Sequence, residues 1–218
     1  MSLIAIGDIH GCPKSLDALI EAVQPGADDQ LIFVGDYVDR GPDSRGVITR
    51  LLKLKSEFNS VFLRGNHEAL MLGYIDEGEY DVWAMNGGVA TLNSYLDAER
   101  NLAIPMSHIE FIRSTKLYFD TPDFFFVHAG LDPNLTVAEN MALLGEDTFL
   151  WERSHLRASA LAWEKPVVCG HTPVEEPIDR PLLINVDTGC VYFMHPKRGR
   201  LTAVRLPERE FISVPYAD

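Results

Sequence analysis

Two stretches decide the fold: Ser2-Leu3-Ile4-Ala5-Ile6-Gly7-Asp8-Ile9-His10-Gly11 and Leu31-Ile32-Phe33-Val34-Gly35-Asp36-Tyr37-Val38-Asp39-Arg40-Gly41. Each opens as a short apolar run, the pattern of a buried strand (Ser2–Ile6, Leu31–Val34), and closes on Gly-Asp. Each is followed by helical spacing. Lys14–Val23 sets Leu16, Leu19, Ile20 and Val23 on one face; Ser44–Lys55 does so with Val47, Ile48, Leu51, Leu52 and Leu54. A third strand, Val61–Leu63, leads into a helix from His67 through Leu72. Strand, loop and helix in this rhythm predict α/β units with parallel strands.

Outward from there the pattern changes. Tyr80–Thr115 reads as helical, a side segment at about 75–115. Phe124–His128, Val167–Gly170, Leu182–Val186, Val191–Met194, Leu201–Leu206 and Phe211–Val214 read as short strands, with Arg198-Gly199 turning a hairpin between the Val191 and Leu201 runs. The back half is therefore expected to be more antiparallel. Two packed sheets flanked by helices, in one domain over residues 1–218, reconcile the halves. At 46% hydrophobic and 23% charged residues, the chain can fill such a core. No stretch reaches the ~18 apolar residues of a membrane span. Met1–Asp8 lacks a cationic region, so no secretory signal is expected. Cys12, Cys169 and Cys190 form no CxxC pair, which predicts a reduced, cytoplasmic protein. A net charge of −13 argues against nucleic-acid binding and serves solubility. A monomer is the default.

The chemistry follows the strands. Gly7-Asp8-Ile9-His10-Gly11, Gly35-Asp36, Gly65-Asn66-His67-Glu68, His128-Ala129-Gly130 and Gly170-His171-Thr172-Pro173 each place a metal-capable side chain beside a glycine just after an apolar run. Sites in α/β sheets form at the carboxyl ends of strands, where such loops can converge. A single Gly-Asp is an ordinary turn; five such loops in this order are not. Asp8, His10, Asp36, Asn66, His128 and His171 supply oxygen and nitrogen without thiolate, a set suited to Mn, Fe or Zn. Six ligands suit two ions sharing one carboxylate. Two dications with two aspartates give a site of about +2, a trap for phosphate.

At these residues the chain resembles the calcineurin-like metallophosphoesterases. More narrowly, it resembles the phosphoprotein phosphatase family of Ser/Thr phosphatases in its small bacterial and phage branch. The motifs are GDIHG (7–11), GDYVDRG (35–41), RGNHE (64–68), HAG (128–130), GHTP (170–173) and INVDTG (184–189). The resemblance implies a four-layer α/β/β/α sandwich with a dinuclear centre. One ion would take Asp8, His10 and Asp36, and the other Asp36, Asn66, His128 and His171. A bridging hydroxide would attack phosphorus in line. His67 would protonate the leaving oxygen, Asp39 would hold its imidazole, and Arg40 would clamp the phosphoryl oxygens. Arg153 and Arg64 are further candidate phosphate arginines, Arg64 being equally readable as a structural ion pair. The metal pair expected is manganese, with Fe/Zn compatible.

Diadenosine tetraphosphate hydrolases share GD-x-HGC, GNH and HAG-type motifs and stand as the alternative. Asp39-Arg40, Glu68 and GHTP favour the phosphatase branch, and so a phosphorylated protein or peptide as substrate. A non-catalytic phosphate-binding protein would need a missing ligand or acid, and none is missing. His108, His155 and His195 read as packing or surface residues, and Trp83 and Trp163 as core. Tyr74–Gly88 reads as a solvated helical face that could line the substrate groove, and Cys12 as an inert small residue.

Overall fold

Alternation along the first strand sets the layers. In the computed structural model, which describes residues 2–218, β1 (Leu3–Ile6) turns Ile4 and Ile6 to one core and Ala5 to another. β2 (Gln30–Phe33) divides Leu31 and Phe33 from Ile32 in the same way. This period of two lets one sheet be covered on both faces. β3 (Asn59–Phe62) completes a parallel trio. The chain returns to this sheet late: β9 (Arg200–Leu206) pairs antiparallel with β1, and β10 (Glu210–Pro215) with β9. The order is β10-β9-β1-β2-β3.

The outer face of this sheet carries α1 (Pro13–Val23), α2 (Ser44–Glu57) and α3 (Asn66–Glu77). The expected helical segment holds α4 (Tyr80–Trp83), a π-helical turn (Ala84–Gly88), α5 (Val89–Ser94) and α6 (Met106–Arg113). β4 (Tyr118–Asp120), β5 (Phe125–Val127), β6 (Val167–Cys169), β7 (Ile178–Arg180) and β8 (Leu183–Asn185) form a second sheet in the order β4-β5-β6-β8-β7. Its inward Phe126, Val168 and Ile184 meet Ala5, Ile32, Val34 and Val61. Its outward Phe125, Val127, Val167 and Leu183 pack with Val137 and Phe149 of α7 (Val137–Leu143) and α8 (Glu146–Trp151). The result is the four-layer α/β/β/α sandwich. Each of these apolar side chains, fully buried, is worth about 1.5–3 kcal/mol.

Two expectations need correction. Val191–Met194 is not a strand, and Arg198-Gly199 joins no hairpin. Both edges of β9 are occupied, by β1 and β10, so no ladder is open to the Val191 run; Phe193 and Met194 lie exposed instead. The hairpin turn lies between β9 and β10, at 207–209. The back half is the more antiparallel one, as expected: among the described residues four of its six strand pairings are antiparallel, and the two parallel ones join β5, β6 and β8 in the middle of the second sheet. The parallel strands in each sheet end where the glycine-flanked loops begin, which positions the site. Among the described residues no helix is long and apolar enough to cross a membrane.

Candidate metal centre

Asp36 is the centre of the cluster. It stands just after β2 at φ 53°, a left-handed backbone that L-residues adopt at a cost of about 1–3 kcal/mol. Among the described residues, five of the eight non-glycine residues with positive φ belong to this site: His10, Asp36, Asp39, Arg40 and His171. Glu68 holds the strain in place. Its buried carboxylate accepts the backbone N–H groups of Asp36 (2.8 Å), Tyr37 (2.8 Å) and Gly65 (2.8 Å), binding the second and third loops together. A Cβ at Gly65 would collide with Asp36 Oδ1, and one at Gly170 with Asp8 Oδ1; only glycine lets these loops crowd one centre.

Two donor groups overlap at Asp36. His10, Asp36 and His67 offer atoms within 4.8 Å of one another, and so do Asp36, His128 and His171. The flanking residues are close by. Asn66 Oδ1 lies 3.0 Å from both His128 Nε2 and His171 Nδ1, and Asp8 accepts the His171 N–H at 3.0 Å. The backbone sets the tautomers. His10 Nδ1 meets the Val38 carbonyl and His128 Nδ1 the Val34 carbonyl, both at 2.9 Å, so each Nε2 is left with its lone pair aimed inward. The two groups hold four of the six expected ligands, His10, Asp36, His128 and His171, with His67 where Asp8 was expected; Asp8 and Asn66 stand beside them, and all six are buried.

The electrostatics suit cations. Burial holds His10 and His128 below the usual imidazole range, and burial together with His128 brings His171 down to about 2. Neutral imidazole is the form that ligates metal. Burial opposes the Asp36 carboxylate, but His128, His67 and His10 around it more than offset this and hold it well below its ordinary value. Burial and the neighbouring Asp187 and Asp36 push Asp8 up; burial pushes Asp187 up to about 7. Carboxylates crowded together in a buried pocket, whose mutual repulsion outweighs the nearby Arg40, are what a dication relieves. His67 Nε2 is buried without a hydrogen-bond partner, facing Asp36 Oδ2 at 4.0 Å. Lone pairs converging on one point and crowded carboxylates fit a divalent pair, and His67 Nε2, left without a partner, borders the cavity above them.

His67 is held from its other nitrogen. Nδ1 lies 2.6 Å from Asp39 Oδ2, whose carboxylate also accepts from Trp83 Nε1 (2.9 Å) and Thr91 Oγ1 (2.7 Å). Burial lowers the His67 pKa, yet Asp36 and the Asp39 hydrogen bond outweigh it and raise it. A small cavity of about 100 Å³ opens above, lined by Asp36, Arg40, Asn66, His67, Arg153 and His171, with Asn86, Trp151, Pro173 and Tyr192 at its walls. Arg40 Nη1 lies 2.7 Å from His10 Nε2, and Arg153 Nε donates to His171 Nε2 at 2.9 Å. Neither arginine has a carboxylate partner.

Arg64 is not in this set. Its guanidinium donates to Glu146 (3.2 Å), the Arg113 carbonyl (3.2 Å) and Thr115 Oγ1 (3.3 Å), tying the start of α8 to the end of α6. The side chain is consumed by that tether, so the ion-pair reading holds. The sequence reading missed Trp83 and Thr91 as supports of Asp39, and Trp151, Asn86 and Tyr192 as cavity walls. It saw Glu68 without its role as a backbone acceptor. Tyr74–Gly88 does reach the groove, through Asn86. His108 packs on the Tyr95 hydroxyl (2.8 Å), His155 on Gly130 and Trp163, and Cys12 is fully buried.

Residues 1–200 match the calcineurin-like phosphoesterase family. The chain is 31% identical to Bis(5'-nucleosyl)-tetraphosphatase PrpE (asymmetrical) of Oceanobacillus iheyensis, over 98% of this chain and 92% of that protein. A crystal structure provisionally named as a diadenosine tetraphosphatase superposes with a TM-score of 0.75 at 27% identity, covering 100% of this chain and 94% of the other. A Saccharomyces cerevisiae protein serine/threonine phosphatase superposes at 0.62 with 17% identity, covering 100% and 80%, which shows a shared fold.

Proposed function

The chain belongs to the calcineurin-like phosphoesterase family, and from that premise we propose that it hydrolyses dinucleoside tetraphosphates asymmetrically, to a nucleoside triphosphate and a nucleoside monophosphate. Family membership makes it a metal-dependent phosphoesterase. The geometry that carries the reading is the pair of donor groups joined at Asp36, beneath a cavity holding two arginines without carboxylate partners. The substrate class is supported by relatives of that name matching along the whole chain. The sequence expectation of a protein phosphatase rests on Asp39-Arg40, Glu68 and GHTP. Those residues orient His67, face the phosphoryl cavity, staple loops and carry a ligand. All of these roles concern the phosphoryl group or the loops that hold it, which a phosphopeptide and a dinucleotide share, so they do not distinguish the two.

In this reading His10 and Asp36, with Asp8 beside them, would hold one divalent ion, and Asp36, Asn66, His128 and His171 would hold the other; manganese suits the thiolate-free set. Such a pair, when bound, supplies an activated water at neutral pH and charge neutralisation at the phosphoryl oxygens. Arg40 and Arg153 grip those oxygens through guanidinium forks, which match phosphate geometry. His67 delivers its proton from Nε2 to the oxygen that departs, and Asp39 fixes the ring by accepting from Nδ1. Water adds across one phosphoanhydride bond, so one nucleoside monophosphate and one nucleoside triphosphate leave.

Product analysis tests this. With Mn(2+), diadenosine tetraphosphate should yield AMP and ATP in equal amounts, at a kcat/KM at least about tenfold above that for a phosphoserine peptide. Faster turnover of the phosphopeptide would restore the protein-phosphatase reading. Two equivalents of ADP would contradict asymmetric cleavage.

A further inference from the structure

Trp151 is out of place for a residue serving only the core. Trp83 and Trp163 are 0% and 3% exposed, whereas 41% of Trp151 is open to solvent, on the wall of the phosphoryl cavity. Its position is built rather than loose. It is the last residue of α8, and the two residues before it, Phe149 and Leu150, are buried. The Ala129 N–H donates to the Phe149 carbonyl at 2.9 Å, tying this turn to the loop that carries His128. The indole stands edge-on to His171, with centroids 5.8 Å apart and planes at 88°, two residues before Arg153. A second ring, Tyr192, lines the same cavity, with the Arg40 guanidinium carbon 5.8 Å from its centroid.

A phosphate calls for cations and several N–H donors; an indole offers one N–H and no charge, and most of its exposed area is an apolar ring face that a phosphate leaves unused. A cavity of about 100 Å³ accepts a phosphoryl group and excludes a nucleoside. The base joined to that phosphate must therefore lie on the rim, where the exposed ring faces are. An aromatic face at such a mouth matches a planar base, since stacking buries apolar area and aligns the π systems.

We propose that Trp151, together with Tyr192, forms a nucleobase subsite that stacks one purine ring of the substrate beside the cavity. This rests on the dinucleotide reading. Trp151→Ala and Trp151→Phe, made in the full chain and loaded with Mn(2+), test it on diadenosine tetraphosphate and on phosphoserine, which carries no ring. Trp151→Ala should raise KM for the dinucleotide by about 5- to 100-fold, the range for loss of one base–aromatic stack, with kcat within about threefold. Trp151→Phe should recover most of that loss, and the effect on phosphoserine should be less than about a third as large. AMP titrated into the wild type should quench tryptophan fluorescence, and the quench should vanish in Trp151→Phe because the other two indoles are buried. Equal losses on both substrates, or a quench that persists in Trp151→Phe, would overturn the subsite. Dinucleotide cleavage with an unaltered KM in Trp151→Ala overturns the subsite alone. A wild type that turns over phosphoserine but not the dinucleotide, and whose fluorescence ignores AMP, overturns the subsite and the dinucleotide reading together.

Discussion

Asp39 lies fully buried with no arginine or lysine paired to it. Such a carboxylate is tolerated only when its lone pairs are filled. Trp83 Nε1 and Thr91 Oγ1 fill them from one side, which leaves Oδ2 aimed at His67. Trp83 is therefore a positioning residue: it acts on the reaction through Asp39 and the imidazole. Trp83→Phe keeps a ring in the core but removes the donor. Its loss should lower kcat about tenfold, the value of roughly one hydrogen bond, with KM changed less than about twofold. Steady-state kinetics at saturating metal check this. A lowered melting temperature with kcat intact would mean that Trp83 only packs.

At the scale of elements, the decisive feature is how helices begin beside strained loops. α1 starts three residues after His10, and its N-cap, Cys12, offers no side-chain acceptor. Asp218 supplies one from far along the sequence. Its carboxylate accepts from Lys14 N (2.8 Å), Ser15 N (3.0 Å) and Ser15 Oγ (2.7 Å), at the positive end of the helix dipole. Asp218→Ala should cost about 1 kcal/mol, like other lost caps, and so lower Tm by about 2–4 °C. Urea unfolding and a thermal scan would measure it; an unchanged midpoint would show that water caps α1 equally well. The π-helical turn at Ala84–Gly88 does similar service near the substrate. It swings Asn86 to the cavity while Gly87 (φ 106°) lets Arg40 pass close.

Across the whole molecule, metal and fold are expected to be linked. The two donor groups draw on β1, β2, β3, β5 and β6, so ions bound there stitch both sheets. A ligand that binds only the folded state stabilises it by about 2.7 kcal/mol at one hundred times its Kd. For a chain of this size that corresponds to about 5–10 °C. Chelation should lower Tm by that order and Mn(2+) should restore it. Asp36→Asn should lose most of the rise, because Asp36 belongs to both groups. A wild-type Tm indifferent to chelator and to Mn(2+) would refute the linkage.

The local code was strong where neighbours in sequence are neighbours in space. A strand's alternation, a glycine that admits a left-handed turn and a polar side chain beside it are short-range facts, so the loops that gather Asp8, His10, Asp36, Asn66, His128 and His171 were legible in the chain, as was the layered α/β class. Strand partnership is not short-range. Val191–Met194 has strand-like residues, yet the edges of β9 were taken by β1 and β10. Arg64 sits in a motif beside the ligands, but its long side chain found Glu146 and the end of α6 closer than any phosphate. Trp83, Thr91 and Trp151 carry no local mark, since their roles are contacts across 44, 52 and 20 residues, to Asp39 and His171. Backbone preference and side-chain periodicity act over a few residues and are written in order along the chain. Which buried groups satisfy one another is settled only when packing brings distant segments within hydrogen-bond reach.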